Sequence, residues 1–138
     1  MSKIVAALVF LVLVCTVGAA MATSSAVMTG GGVMLISNDA PVATTFCTSP
    51  SIPANNGPGA FTINVGTGCA TSTGTVTLPA ATTGWVCTFR DVTTPAANSP
   101  SQIGGTTTTA TLTNYSRTTG LAANWTDNDI LRASCFAY

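Results

Sequence analysis

From Phe61 onward, apolar and polar residues alternate along the chain. This is the period of a β-strand that buries one face. Phe61, Ile63 and Val65 share one face of a first predicted strand, and Val76 and Leu78 share one face of a second. Gly, Pro and Asn residues separate the runs, as in sheets whose strands are joined by turns.

Three later runs continue the alternation, over residues 84–94, 106–116 and 130–138. In the first of them Trp85 and Phe89 fall on the same side, which favours burial of both rings. The second is rich in β-branched threonine, which suits a pleated, half-exposed surface. About five strands at short intervals predict an all-β fold, either an antiparallel β-sandwich or a small barrel-like domain, over residues 59–138.

Residues 23–58 show no sustained period and contain four of the seven prolines. Proline interrupts regular elements, so we predict an irregular linker here, with one short strand at 33–36 and a domain boundary near 51–59. By the same reasoning the proline-containing interval 95–105 is predicted to be a loop. The interval 117–129 is predicted to be a loop with one helical turn.

Residues 1–22 carry a single cation, Lys3, which is followed by an uncharged, mostly apolar run from Ile4 to Ala22. Small residues end the run at Ala20–Ala22, a pattern typical of a secretory signal peptide cleaved after Ala22. The alternative is a retained membrane or assembly helix, for which Ile4–Ala22 is just long enough. In both cases membrane contact is confined to residues 1–22, and the rest of the chain lies in an oxidising space.

Only eight side chains are charged, and the chain has no His and no Glu. These absences remove most side chains used in acid–base catalysis, so we expect no enzyme activity and no catalytic residues. The cations are scattered singly and the net charge is zero, which argues against a nucleic-acid partner. No phosphate-binding glycine loop occurs in a strand–helix context, and no cofactor is expected.

Four cysteines remain after residue 22, namely Cys47, Cys69, Cys87 and Cys135. In an oxidising space they predict two disulfides, for which three pairings exist. The alternative is that some of them are small buried apolar residues. A zinc site is excluded because the chain has no CxxC pair and no histidine.

Two further groups are candidate binding residues. Asp127 and Asp129 suggest a calcium loop, but too few oxygen ligands are near, so a turn that satisfies backbone N–H groups is preferred. Tyr115 and Trp125 lie in or beside a predicted loop and are candidates for surface recognition, with burial of Trp125 as a plug being the alternative. Trp85 is assigned to the core.

Five pieces of the chain occur in an order that resembles a recurring C-terminal β domain of tail fibres and related structural proteins of tailed bacteriophages. They are FTINVGTG, GTVTLPAATTGWVCTF, TTTTATLTN, AANWTDNDIL and the terminal SCFAY. The resemblance covers Ala60 to Tyr138. It implies a structural virion protein that contributes to host attachment, and it carries no catalytic residues onto this chain.

The expected role is therefore a non-catalytic virion or appendage protein, located in a virion or at a cell surface. Its expected partners are further copies of itself, as a trimer or filament, and a glycan or protein of a host surface. The alternative function is a secreted or envelope-anchored bacterial adhesion or filament-forming protein. Exposed sheet edges would allow such a protein to polymerise by strand addition.

Overall fold

The computed structural model describes residues 27–28, 34–35 and 39–138, and the described residues form an all-β, sandwich-like fold. Two four-stranded antiparallel sheets make up the domain. The first sheet has the order β4 (Ser51–Asn55), β5 (Phe61–Asn64), β10 (Ile130–Ala137), β7 (Trp85–Asp91). The second has the order β3 (Val42–Thr44), β6 (Thr73–Thr77), β9 (Thr109–Ser116), β8 (Asn98–Gly105).

A separate two-stranded antiparallel sheet is formed by β1 (Val27–Met28) and β2 (Met34–Leu35). β2 lies within the short strand predicted at 33–36, and β1 lies outside it. The predicted signal or membrane helix at residues 1–22 lies outside the described residues. Among the described residues, no helix has both the length and the apolar character needed to cross a membrane.

The core lies between the two sheets and follows the predicted alternation. Ile63, Val76, Leu112 and Leu131 are fully buried, one from each of the four central strands. Trp85 is also buried, as predicted, and its indole Nε1 donates to the carbonyls of Pro79 and Thr107 at 3.0 and 3.1 Å. The ring therefore fills core volume while its one polar atom stays satisfied.

Four strands lie where the sequence predicted irregular chain, so those predictions were wrong. β1, β3 and β4 fall in the predicted linker, and β8 falls in the predicted loop at 95–105. Of these, β3, β4 and β8 are edge strands of the two four-stranded sheets. Proline is tolerated at an edge because its missing N–H faces away from the ladder, so Pro53 and Pro100 do not interrupt these strands. The predicted helical turn near 121–125 is absent, and Ala122 instead forms a bridge with Tyr115.

Both disulfides form, which confirms the prediction and selects one of the three pairings. Cys47–Cys69 joins the β3–β4 connection to the β5–β6 connection, so it links two chain segments that cross between the sheets. Cys87–Cys135 joins directly opposed residues of β7 and β10, on the face turned to the core. The two disulfides join cysteines 22 and 48 residues apart. In the chain-entropy model each bridge stabilises the folded state by about 3 to 4 kcal/mol.

The exposed edge of β7 is covered by a side chain rather than by a strand. The Gln102 amide donates to the Trp85 carbonyl at 2.8 Å and accepts from the Cys87 N–H at 2.7 Å. One amide thereby replaces the two backbone bonds that a neighbouring strand would make. The register of β8 shifts between Gln102 and Gly104, and this bulge leaves Ile103 55% exposed.

We expect Gln102→Ala to uncover the β7 edge. The Cys87 amide should then exchange its hydrogen faster than in the wild type, because its acceptor is gone, and the protein should self-associate more at high concentration. Hydrogen exchange and size-exclusion chromatography measure the two effects. Ser101→Ala, at the neighbouring exposed position, is the control. Unchanged exchange at Cys87 in Gln102→Ala would contradict the capping role.

We expect Gly66→Ala to destabilise the domain by more than about 2 kcal/mol. Gly66 has φ +90°, and an added Cβ would overlap the carbonyl oxygen of Thr48. Gly120→Ala is the matched control, since Gly120 has φ +70° with open space around it, and should cost only about 1 kcal/mol. Urea unfolding compares the two, and equal losses would show that the contact with Thr48 is unimportant.

Candidate functional site

Three of the buried polar residues form one cluster at the end of β7, the start of β8 and the start of β10. Asp91 is 1% exposed and Asp129 is fully buried, and Asn98 is buried beside them. Thr94 completes the group. Asp91 ends β7, Asn98 begins β8 and Asp129 immediately precedes β10, so the cluster ties together two connections that cross between the sheets.

Hydrogen bonds satisfy both carboxylates. The Asp91 Oδ1 atom accepts from the backbone N–H groups of Thr93 and Thr94, at 2.8 and 2.9 Å. Asn98 Nδ2 donates to Asp91 Oδ2 at 3.0 Å and to Asp129 Oδ2 at 3.2 Å. The Thr94 hydroxyl lies 2.9 Å from Asp91 Oδ2 and 3.2 Å from Asp129 Oδ1. Asn98 and Thr94 thus bridge two groups of like charge.

Burial raises the pKa of Asp129, and the nearby Asp91 carboxylate adds to the rise. The N–H of Thr126 and the hydroxyl of Thr94 act against it by donating to the ionised form. A buried carboxylate pair is a familiar acid–base arrangement, but a catalyst must reach its substrate. Neither carboxylate is accessible, because the Asp91 side chain is 1% exposed and the Asp129 side chain is fully buried. We therefore assign this cluster to the fold.

The segment at Asp127 and Asp129 is a turn, as preferred from the sequence. The Asp129 N–H donates to the Thr126 carbonyl at 3.0 Å, and Asn128 takes φ 61°. Asp127 accepts from the Cys69 N–H at 2.9 Å, and donation from Cys69 and Gly68 lowers the pKa of Asp127. Within residues 39–138 and the two short strands, no three His, Cys, Asp or Glu residues are grouped so that they could hold a metal ion.

The prediction that Trp125 contributes to surface recognition was wrong. Its side chain is 2% exposed, packs against Phe46 with ring centroids 5.6 Å apart, and donates from Nε1 to the Thr73 carbonyl at 3.1 Å. The indole plugs the end of the core between β6 and the β3–β4 connection. A loop position does not imply exposure, because a large ring buries more apolar area than any other side chain.

Tyr115, the other predicted recognition residue, lies half-buried on the outward side of β9. It lines an open depression of about 630 Å³ whose remaining walls come from β8, from the last residue of β9 and from the turn that follows β9. The other lining residues are Ser99, Ser101, Gln102, Ile103, Ser116, Arg117 and Gly120. An aromatic ring, several hydroxyls and one guanidinium therefore meet at one concave surface.

Sequence reasoning missed the buried cluster and the role of Gln102. The Asp91–Thr94 spacing is a usable signal, since an Asp at a turn accepts from N–H groups two and three residues later. Asn98 and Gln102 carried no such signal, because both stand in a segment taken for a loop. The structure also separates Arg90 from Asp91, which lie on opposite faces of β7.

Comparisons with known proteins add no relationship: no family model, curated protein or solved structure matches the chain. The functional interpretation therefore depends on the geometry described above.

We expect the exposed carboxylate of Asp127 and the buried carboxylate of Asp129 to change the free energy of unfolding in opposite directions as the pH changes. The raised pKa of Asp129 means that its stabilising contribution is complete below the ordinary value of 3.8 and is lost as pH rises through the folded-state value. The lowered pKa of Asp127 means that its contribution is present above 3.8 and is lost as pH falls.

Urea unfolding of Asp129→Asn and Asp127→Asn, at acidic and at neutral pH, tests this. On acidification, the wild type should become more stable relative to Asp129→Asn and less stable relative to Asp127→Asn. The two variants serve as each other's control, since both remove one charge from the same turn. Parallel pH profiles for the two would contradict the assignment.

Proposed function

We propose that this protein is a non-catalytic structural component of a virion or surface appendage, and that it contributes to attachment to a host surface. The single observation that carries this proposal is the concave surface around Tyr115, where an aromatic ring and hydroxyls stand on rigid strands. Such a combination suits the polar groups and apolar ring faces of a glycan.

The construction of the domain supports a role outside the cell. Two disulfides cross-link a small sandwich, which is typical of proteins in oxidising spaces. Hydroxyl and amide groups supply most of its polar surface. The buried carboxylate pair, which is the nearest approach to catalytic chemistry in the described residues, is closed off and fully engaged by Thr94 and Asn98.

The alternative function is a secreted or envelope-anchored adhesion or filament-forming protein. Polymerisation by strand addition finds little support, because each sheet edge carries an obstacle. Pro53 stands in β4 and Pro100 in β8, Gln102 covers β7, and β3 has three residues preceded by Pro41. Self-association, as a trimer or otherwise, is therefore proposed to use the faces of the sheets rather than their edges.

We expect Tyr115→Ala to abolish or strongly weaken binding of the protein to an immobilised glycan panel and to host cells. Loss of a central aromatic contact typically reduces affinity about tenfold or more. Tyr138→Ala is the matched control, since Tyr138 is exposed elsewhere on the molecule. Melting temperatures of both variants should match the wild type within a few degrees. Equal binding by both variants would refute attachment through this surface.

A further inference from the structure

The outward face of β7 and β10 carries a ladder of matched side chains. Three pairs of directly opposed residues point away from the core, in the order cation, hydroxyl and apolar. They are Arg90 with Arg132, Thr88 with Ser134, and Val86 with Phe136. Successive pairs on one face of a strand are about 6.6 Å apart, so the ladder extends for about 13 Å.

The arginine pair is unusual because like charges directly opposite each other destabilise a sheet. Neither guanidinium has an ion-pair partner among the described residues. The nearest acid along the chain, Asp91, points to the opposite face and is held in the buried cluster. Two of the three arginines in residues 39–138 are thus placed side by side with no internal counter-charge.

Depressions border this pair on both sides. One, of about 220 Å³, lies between the arginines and the hydroxyl pair and includes Ser134. The other, of about 280 Å³, lies between Arg132 and β4 and includes Thr62 and Asn55. The Thr88 and Ser134 hydroxyls are 2.9 Å apart and hydrogen-bonded to each other. Phe136 is 45% exposed at the far end of the ladder.

We propose that this ladder binds an acidic saccharide. Guanidinium groups bind carboxylates and sulfates through paired hydrogen bonds, and a bound anion removes the repulsion between Arg90 and Arg132. The hydroxyl pair faces the sugar hydroxyls, and Phe136 with Val86 offers an apolar surface to the C–H face of a ring. Binding of an acidic saccharide is one form of the proposed attachment and rests on that proposal. It takes place on the sheet of β7 and β10, whereas Tyr115 lies on the other sheet.

Other polyanions fit this face less well. Nucleic-acid binding needs many phosphate contacts, and a membrane surface attracts roughly 1 kcal/mol per basic residue, so two arginines are too few for either. A chain of sugars, by contrast, matches all three rungs of the ladder. Carboxylated and sulfated sugars share the required chemistry, and the experiment distinguishes them.

The test is a titration of the full chain with hexagalacturonate, its neutral methyl ester, and a sulfated maltohexaose, followed by NMR shifts of backbone amides. We expect one or both acidic probes to shift residues of β7 and β10, and the neutral ester to bind at least about tenfold more weakly. Binding should weaken as salt is added. The probe that binds more tightly identifies the acidic group.

The variants Arg90→Gln and Arg132→Gln should each weaken binding about tenfold or more, with unchanged melting temperature. Leu121→Ala changes an exposed side chain elsewhere on the molecule and should leave binding unchanged. The proposal is overturned if neither acidic probe binds, if the neutral ester binds equally well, or if Leu121→Ala has the same effect. Binding of host cells through Tyr115 would survive that failure, so the two proposals can be distinguished.

Discussion

The buried cluster in which Asn98 and Thr94 each donate to both Asp91 and Asp129 is the interaction on which the rest of the sandwich depends. Each carboxylate stands where the chain leaves or enters a sheet, and Asn98 stands at the start of a third strand. Asp129 also holds the β5 end, since its carbonyl accepts from the Val65 N–H at 3.1 Å. A single buried group of side chains therefore determines where β5, β7, β8 and β10 meet.

This arrangement is costly, because two buried carboxylates repel each other and lose hydration. The cost is offset by the number of donors, among which the Asn98 amide reaches both acids. Truncating Asn98 or Thr94 would leave buried acceptors without donors, a more severe change than removing an exposed bond. The cluster therefore fixes where the chain crosses from one sheet to the other, rather than adding net stability.

The central strands were predictable from the sequence, and three of the edge strands were not. β5, β6, β7, β9 and β10 alternate because one face of each is buried, and this period is visible in the residues alone. β3, β4 and β8 are placed by pairing with a neighbour on one side only, so they tolerate proline and exposed apolar residues such as Val42 and Ile103. Tertiary contacts, rather than local preference, make them strands.

The candidate surface residues also divide into those that lie in a predicted strand and those whose position depends on tertiary contacts. Tyr115 lies half-buried in β9, near the end of the predicted strand 106–116, whereas Trp125 lies outside any period and its burial depends on Phe46, far away along the chain. The arginine ladder could be anticipated only in part. Each strand shows its own outward face, but the register that sets Arg90 against Arg132 arises when β7 and β10 pair.

The positions of the two disulfides also determine how the protein responds to a mechanical pull along the chain. Tension passes directly through each sulfur bridge, so the residues between the paired cysteines carry no load even when the sheets separate. The enclosed separations of 22 and 48 residues withhold roughly 75 and 160 Å of extension. A tether built from this domain would therefore lengthen far less under force than a chain of the same length without the two bridges.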